Sequence, residues 1–249
     1  MTRAAARENP TDLWPTLKRE AEKLAAADIA LAPLLQTVIL PAPTLSFALG
    51  RLLSEKLASK HMPEGLALQL YSEFAGAAPD LEFIATRDLQ AIAGFDPAAR
   101  DFVAPFLFFK GFHALQSHRL AHYLWNVDRQ HLALFVQNRV SDLFGVDIHP
   151  AARIGSGVMM DHATGIVIGE TAIVEDDVLF WHGVTLGGRS LVPGDRHPKV
   201  RQGAILGAHA TIIGNIEIGA GAKVAAGSVV VHDVPPGVTV AGTPAKAIS

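Results

Sequence analysis

The chain has 249 residues, 49% of them hydrophobic, enough to bury a sizeable core as one large domain or two modest ones, so a folded globular protein is expected. A formal net charge of −3 provides no basic field of the kind that holds a phosphate backbone, so nucleic acid is not an expected partner. The absence of cysteine excludes disulfides and thiolate metal sites and fits a reducing compartment.

The first residues, MTRAAARENPTDLW, have no apolar run after their charges, so no secretory signal is read and a cytoplasmic location is the default. Residues 29–50 carry no formal charge over a length that could span a bilayer, but Pro33, Pro41 and Pro43 would break a spanning helix. The stretch is read as two helices buried in a bundle or a subunit interface, with no membrane role. Helical spacing of Ala, Leu and Phe recurs over 11–27, 44–59, 63–75, 86–93 and 105–144, the last with a break near Asn126 to Asp128. Thr11, Thr44 and Thr86 each stand where an N-cap would, with a hydroxyl for an orphan amide of the first turn. Residues 1–145 are therefore expected to form a helical domain.

After Asp147 the period changes to six. Ile148, Ile154 and Met160 start the series, two extra residues intervene, and it resumes at Ile168, Val174, Phe180 and Leu186. After an insertion, Val200, Leu206, Ile212, Ile218, Val224 and Val230 continue without a slip. Small or β-branched residues follow four positions later, among them Ala152, Val158, Thr164, Ala172, Ala204, Ala210, Ile216 and Ser228. A helix repeats near 3.6 and a strand near 2, so this period indicates a parallel β-helix, with three hexads making a triangular coil of about 18 residues. Coils stack at about 4.8 Å, the spacing of hydrogen-bonded strands, with the aliphatic positions filling the interior. The fold class expected is α+β, with a β-helix over 146–249 and a loop projecting at about 187–199, which is too long for a turn and too polar for the core.

Two other patterns carry less. His118 and His122 share a helix face at i, i+4 spacing but lack a third zinc-ligand pattern and are read as an exposed face. IGAGAKVAAG lacks the spacing of a phosphate loop and is read as ordinary coil.

The hexads, with VDIHPAARIG, MDHATGIVIGE, VTLGG, GDRHPK and the closing VPPGVTVAGTPAK, resemble the bacterial serine O-acetyltransferases, and FKGFHALQSHRLAHYLWN is similar to that family's helical domain. The resemblance implies a left-handed parallel β-helix that passes acetyl from acetyl-CoA to the hydroxyl of L-serine, the first step of cysteine synthesis from serine. Such a transfer needs a base in reach of the hydroxyl, and His162 is the candidate. Asp147, 15 residues earlier and close to one coil, is the carboxylate expected to orient it from an adjacent coil. By resemblance, Asp96 and Asp161 take the serine ammonium, and Arg196, helped by His197, takes its carboxylate through a planar fork. Asp96 followed by Pro97 also reads as a plain turn start.

In the family, acetyl-CoA lies in the groove between neighbouring subunits of a trimer. Thr185, Gly187, Gly188, Gly207, Ala208 and Ala226 would line the pantetheine arm, Lys223 would meet a phosphate, and no permanent cofactor or metal is implied. The helical domain would join two trimers into a hexamer and contribute to the serine site. O-acetylserine sulfhydrylase is the protein partner that the family implies, but the tail ending in isoleucine that docks it is missing after Ala247, Ile248 and Ser249. Feedback inhibition by L-cysteine is a further family expectation. A hexapeptide acetyltransferase for a sugar alcohol would have no reason for the Asp96, Asp161 and Arg196 set. A zinc β-helix enzyme would need three convergent histidines from among His149, His162, His182, His197, His209 and His232, and a noncatalytic scaffold would need no polar departures.

Overall fold

The computed structural model describes residues 13–248, so the reading of the N-terminal stretch, the Thr11 cap and Ser249 lie outside the described residues. The chain divides into two compact units, the first ending at Phe109 and the second starting at Lys110. The change from helix to strand comes later, after Phe144.

The first unit contains α1 (Leu13–Ala27), α2 (Ala32–Val38), α3 (Leu45–Leu57), α4 (Glu64–Ala77), α5 (Leu81–Phe95) and α6 (Val103–Phe108). Each helix turns an apolar stripe inward: Leu13, Leu17 and Ala21 on α1, and Leu45, Leu49, Leu52, Leu53 and Leu57 on α3. The Thr44 hydroxyl accepts from Phe47 N at 3.2 Å, as an N-cap should. Thr86 does not cap a helix. It is buried inside α5, which starts one turn earlier after Asp80. The uncharged stretch 29–50 forms two short helices, with Pro33 in the first turn of α2 and Pro41 and Pro43 between α2 and α3. Its Leu35, Val38, Ile39, Leu45, Ala48 and Leu49 are buried. No helix among the described residues is long and apolar enough to cross a membrane.

The second unit begins with α7 (Lys110–Asn126) and α8 (Gln130–Phe144), separated at the expected break, where Asp128 takes φ 59°. Short strands then wind into three faces. The first face stacks β1 (Val146–Ile148), β4 (Ile166–Ile168), β7 (Thr185–Gly187), β10 (Thr211–Ile213) and β13 (Val229–Val230). The second stacks β2 (Arg153–Ile154), β5 (Ile173–Val174), β8 (Lys199–Val200) and β11 (Glu217–Ile218). The third stacks β3 (Met159–Met160), β6 (Leu179–Phe180), β9 (Ile205–Leu206), β12 (Lys223–Val224), β14 (Thr239–Gly242) and β15 (Ala245–Ala247). All pairs are parallel except β14 with β15, so the predicted parallel β-helix is the fold.

One hexad residue per strand points inward, as in the ladder Ile148, Ile168, Leu186, Ile212 and Val230, all buried. Full burial of such a side chain contributes about 1.5–3 kcal/mol. Where nothing is inserted, the coil has the expected length: Val167 pairs with Thr185, and Lys199 with Glu217. The two extra residues stretch the first coil, so that Asp147 pairs with Val167, and they turn Thr164 outward, leaving Ile166 as the inward residue before Ile168. The loop stretches another coil, so that Thr185 pairs with Thr211.

The first coil has no coil before it, and α7 supplies the missing partners at all three corners. Arg119 donates to Ile154 O at 3.1 Å and Gly155 O at 2.8 Å, His122 Nδ1 donates to Pro150 O at 2.7 Å, and Lys110 hydrogen-bonds the Thr164 hydroxyl. An open strand edge is thus closed by a helix. His118 is buried against this coil and His122 is half-buried, so the expectation of an exposed helix face is corrected.

Candidate active site

Two corners of the coil flank the first face, and most of the residues singled out by the sequence lie on them. The corner between the third and first faces carries His162, His182 and His209 in successive coils, with ring centroids 6.0 Å apart for the first pair and 4.9 Å for the second. His162 and Ala163 both take left-handed backbone, at φ 54° and 58°, a conformation rare for residues other than glycine and frequent where function constrains the chain. The turn is held by Ala163 N donating to Asp161 O at 2.5 Å, Thr164 N to His162 O at 2.7 Å and Gly165 N to Gly145 O at 2.7 Å. The His162 side chain is thereby pushed out to 75% exposure, its Nε2 3.7 Å from Asp161 Oδ2. Gly183, at φ 71°, leaves space that the His209 ring fills. Among the described residues no group of three or more histidines and carboxylates could hold a metal ion.

Asp147 stands in the middle of β1, half-buried, in the outward row that continues through Val167, Thr185 and Thr211. Its Oδ1 accepts from Gln137 Nε2 at 2.5 Å. Among the described residues no hydrogen bond joins it to His162. The residue across from Asp147 on the next coil is Val167, and His162 stands at the corner that leads into that strand.

The corner between the first and second faces carries His149, then Glu170 and Thr171, then the projecting loop. Arg196 Nη2 lies 2.6 Å from Glu170 Oε2 and its Nη1 donates to Gly194 O at 3.1 Å. His197 is buried, and Thr171 N donates to its Nδ1 at 3.2 Å, which leaves the proton on Nε2. The Thr171 hydroxyl lies 2.9 Å from that Nδ1 and accepts from Arg196 N at 3.0 Å and His197 N at 3.1 Å. Lys199 closes the loop base, donating to Thr171 O at 3.0 Å, His197 O at 2.7 Å and Asp195 Oδ1 at 2.5 Å. A cavity of about 310 Å³ opens beside this base, lined by Arg153, Glu170, Thr171, Asp195 and Lys199 among others. A Cβ on Gly169 would overlap the His197 ring, so the ring needs glycine beneath it.

Charges at this corner are tuned by one another. Burial holds the His197 imidazole below its ordinary pKa, and the Arg196 guanidinium adds to the effect. His149 is also lowered by burial, against the pull of the Glu170 and Asp147 carboxylates. The hydrogen bond from Arg196 holds the Glu170 carboxyl below the usual range.

The residues expected at acetyl-CoA follow the same face and its edges. Thr185 is half-buried on β7, Gly187 ends that strand, and Gly188 meets the His197 and Arg196 side chains. Gly207, Ala208 and Ala226 lie further along the histidine corner, where a Cβ on Gly207 would come within 2.6 Å of Ala226 N. Lys223 is exposed on β12. Asp96 lies in the first unit as the C-cap of α5, and its Oδ1 accepts from Ala98 N at 2.8 Å, the turn that Asp-Pro signals. Gln137, Glu170 and Thr171 were not singled out by the sequence. Glu170 and Thr171 occupy ordinary hexad corner positions, and only the coil register places them beside the loop.

A sequence profile described as "Serine acetyltransferase, N-terminal" matches residues 13–117. A serine acetyltransferase of Salmonella typhimurium (strain LT2) is 49% identical over 236 residues, covering 95% of this chain and 86% of the relative. Among solved structures, the serine acetyltransferase of Neisseria gonorrhoeae in complex with serine is 48% identical with a TM-score of 0.92, covering 94% of this chain and 97% of that one. The serine acetyltransferase of Brucella abortus strain S19 in complex with coenzyme A is 45% identical with a TM-score of 0.94, covering 98% of this chain and 96% of that one.

Proposed function

The chain belongs to the serine acetyltransferase family and is a serine O-acetyltransferase using acetyl-CoA as cosubstrate, and we propose that His162 is its general base and Asp147 the carboxylate that orients it. The observation that carries the site is the first face: Asp147 stands on it, the His162 corner borders one side, and the Arg196 corner borders the other. His162 takes the proton of the serine hydroxyl as the oxygen attacks the thioester carbonyl carbon. The tetrahedral intermediate collapses with cleavage of the carbon–sulfur bond, and the departing thiolate takes that proton from the imidazolium. A catalytic hydrogen bond absent without substrate commonly forms in the loaded complex, so the separation of Asp147 from His162 is compatible with this scheme.

Asp161, beside His162, and Asp96 are assigned to the serine ammonium. Arg196 meets the serine carboxylate with guanidinium N–H groups that Glu170 and Gly194 leave free, and the His197 Nε2–H adds a neutral donor. Acetyl-CoA runs along Thr185, Gly187, Gly188, Gly207, Ala208 and Ala226 toward Lys223, in a groove completed by a neighbouring copy in a trimer. Two trimers join through the helical region, so a monomeric mass in solution would contradict this assembly. The protein works in the cytoplasm, which the absence of cysteine favours.

The test is thiol release from acetyl-CoA with L-serine, a sugar acceptor or no acceptor, each repeated with His162→Ala. Serine-dependent release that falls by the order of 10² in the variant is expected. Equal release by the variant removes His162 from the role of base.

A further inference from the structure

We propose that Gln137 is a positioning residue for acetyl transfer, its side-chain amide fixing the Asp147 carboxylate so that the remaining oxygen is available to His162. This rests on the assignment of Asp147 and His162 above. Gln137 lies on α8 two turns before the C-cap Gly145, which takes left-handed backbone at φ 66° and turns the chain directly into β1. The amide therefore reaches back over the turn to a residue its own helix delivers. Ala133, Val136, Val140 and Phe144 are buried and anchor the helix on either side of Gln137. The donor thus sits on a rigid element.

Asp147 has a fixed backbone, since Val146, Asp147 and Ile148 all pair with β4, but its carboxylate can still rotate about two side-chain torsions. The 2.5 Å contact from Gln137 Nε2 to Oδ1 removes that freedom. An ionised carboxylate only accepts, so the amide must present its nitrogen. With Oδ1 occupied, Oδ2 is the oxygen left for the base.

The experiment compares Gln137→Met, Gln137→Glu, Asp147→Asn and the double variant Gln137→Met with Asp147→Asn. For each, kcat, both KM values, the pH profile of kcat/KM for serine and the thermal midpoint are measured. Gln137→Met is expected to lower kcat roughly ten- to hundredfold, the worth of one hydrogen bond to a charged group, with both KM values within about twofold. Its acidic limb moves down, because a carboxylate no longer held toward the imidazole supports the charged base less. Gln137→Glu moves that limb up, because a second carboxylate beside Asp147 favours the imidazolium. The double variant is no slower than Asp147→Asn alone.

A purely structural contact would lower the thermal midpoint and leave the acidic limb unmoved. An unmoved limb with wild-type kcat in Gln137→Met overturns the proposal, as do additive losses in the double variant. Full activity in Asp147→Asn instead overturns the assignment of Asp147 itself.

Discussion

Thr171→Val removes one hydroxyl from the base of the projecting loop and keeps the side chain's shape. In the native chain that oxygen accepts from Arg196 N and His197 N and lies 2.9 Å from His197 Nδ1. Valine leaves Arg196 N and His197 N short of a partner, while His197 Nδ1 loses one contact and keeps the hydrogen bond from Thr171 N. Each unpartnered amide costs about 1–3 kcal/mol when water cannot reach it, and the partly exposed loop places the sum near the lower end, about 3 kcal/mol. The loss falls on docking of the loop and not on the coil, because segments of low local stability open by themselves. Lys199 and the Arg196–Glu170 pair still hold the loop base, so the thermal midpoint moves little. An energy of 3 kcal/mol is about a hundredfold in an equilibrium, so the KM for serine rises up to that factor while the KM for acetyl-CoA changes less. Steady-state thiol release and amide hydrogen exchange across 189–198 measure the two effects. Faster exchange with an unchanged serine KM would show that loop docking does not set serine recognition. Unchanged exchange would refute the role given to the hydroxyl.

Other sites give independent tests. Gly111→Ala places a Cβ against the Met160 carbonyl oxygen, a backbone atom that cannot yield cheaply, so urea unfolding should show a loss of about 3 kcal/mol, and a loss under about 0.5 kcal/mol would contradict the packing of α7 on the first coil. Burial holds His118, His149 and His197 below the ordinary histidine value, so the unfolded state binds more protons below pH 6.5 and stability falls as pH drops, by up to about 1.4 kcal/mol per pH unit for each. The lowered carboxyls of Glu170, Glu175 and Asp195 lose their contribution only at lower pH, below about 4.3, while Glu20, raised by burial, acts with the opposite sign, so the histidine share is read by comparing urea melts at pH 7.5 and 5.5 with those of His118→Gln, which should show the smaller drop. Arg201 bridges Glu175, at 2.8 Å, and Glu217 across three coils on the surface, and Arg201→Ala should cost no more than about 1 kcal/mol for each pair and leave turnover unchanged. L-cysteine carries the same ammonium and carboxylate as serine and should inhibit competitively against it; rates unchanged at high cysteine would remove the zwitterion as the shared determinant.

The interior of the β-helix was legible because its requirement is periodic. One inward aliphatic residue per strand repeats every six positions, and the ladder from Ile148 to Val230 follows that rule. The helices were legible from their stripes, except where a threonine resembled a cap without being one: Thr86 is inside α5 because the stripe of Leu81, Leu89 and Ile92 extends past it. Contacts between coils were less legible. Fifteen residues from Asp147 to His162 falls short of an uninserted coil of 18, as between Val167 and Thr185, and the extra residues at Ala163 and Thr164 set the cross-coil neighbour of Asp147 further on, at Val167. Gln137 could not be found from hexads because it approaches from a helix.

The same register explains why the missed residues matter. The loop leaves the coil after Gly187 and returns at Lys199, directly over the corner formed by Gly169, Glu170 and Thr171. Whatever stands on that earlier corner must hold a guanidinium in place without consuming it. Glu170 takes one end of the Arg196 fork and Gly194 O accepts from the other, while the nearby imidazole of His197 is kept neutral by burial and adds no second positive charge. Arg196 therefore arrives oriented and only partly neutralised. A substrate carboxylate can add to a planar five-donor fork already aligned by one carboxylate, which a lysine's point charge would not permit. With Arg196 assigned to the serine carboxylate as proposed, recognition of the zwitterion would depend on a corner one coil away that the sequence presents as an ordinary repeat.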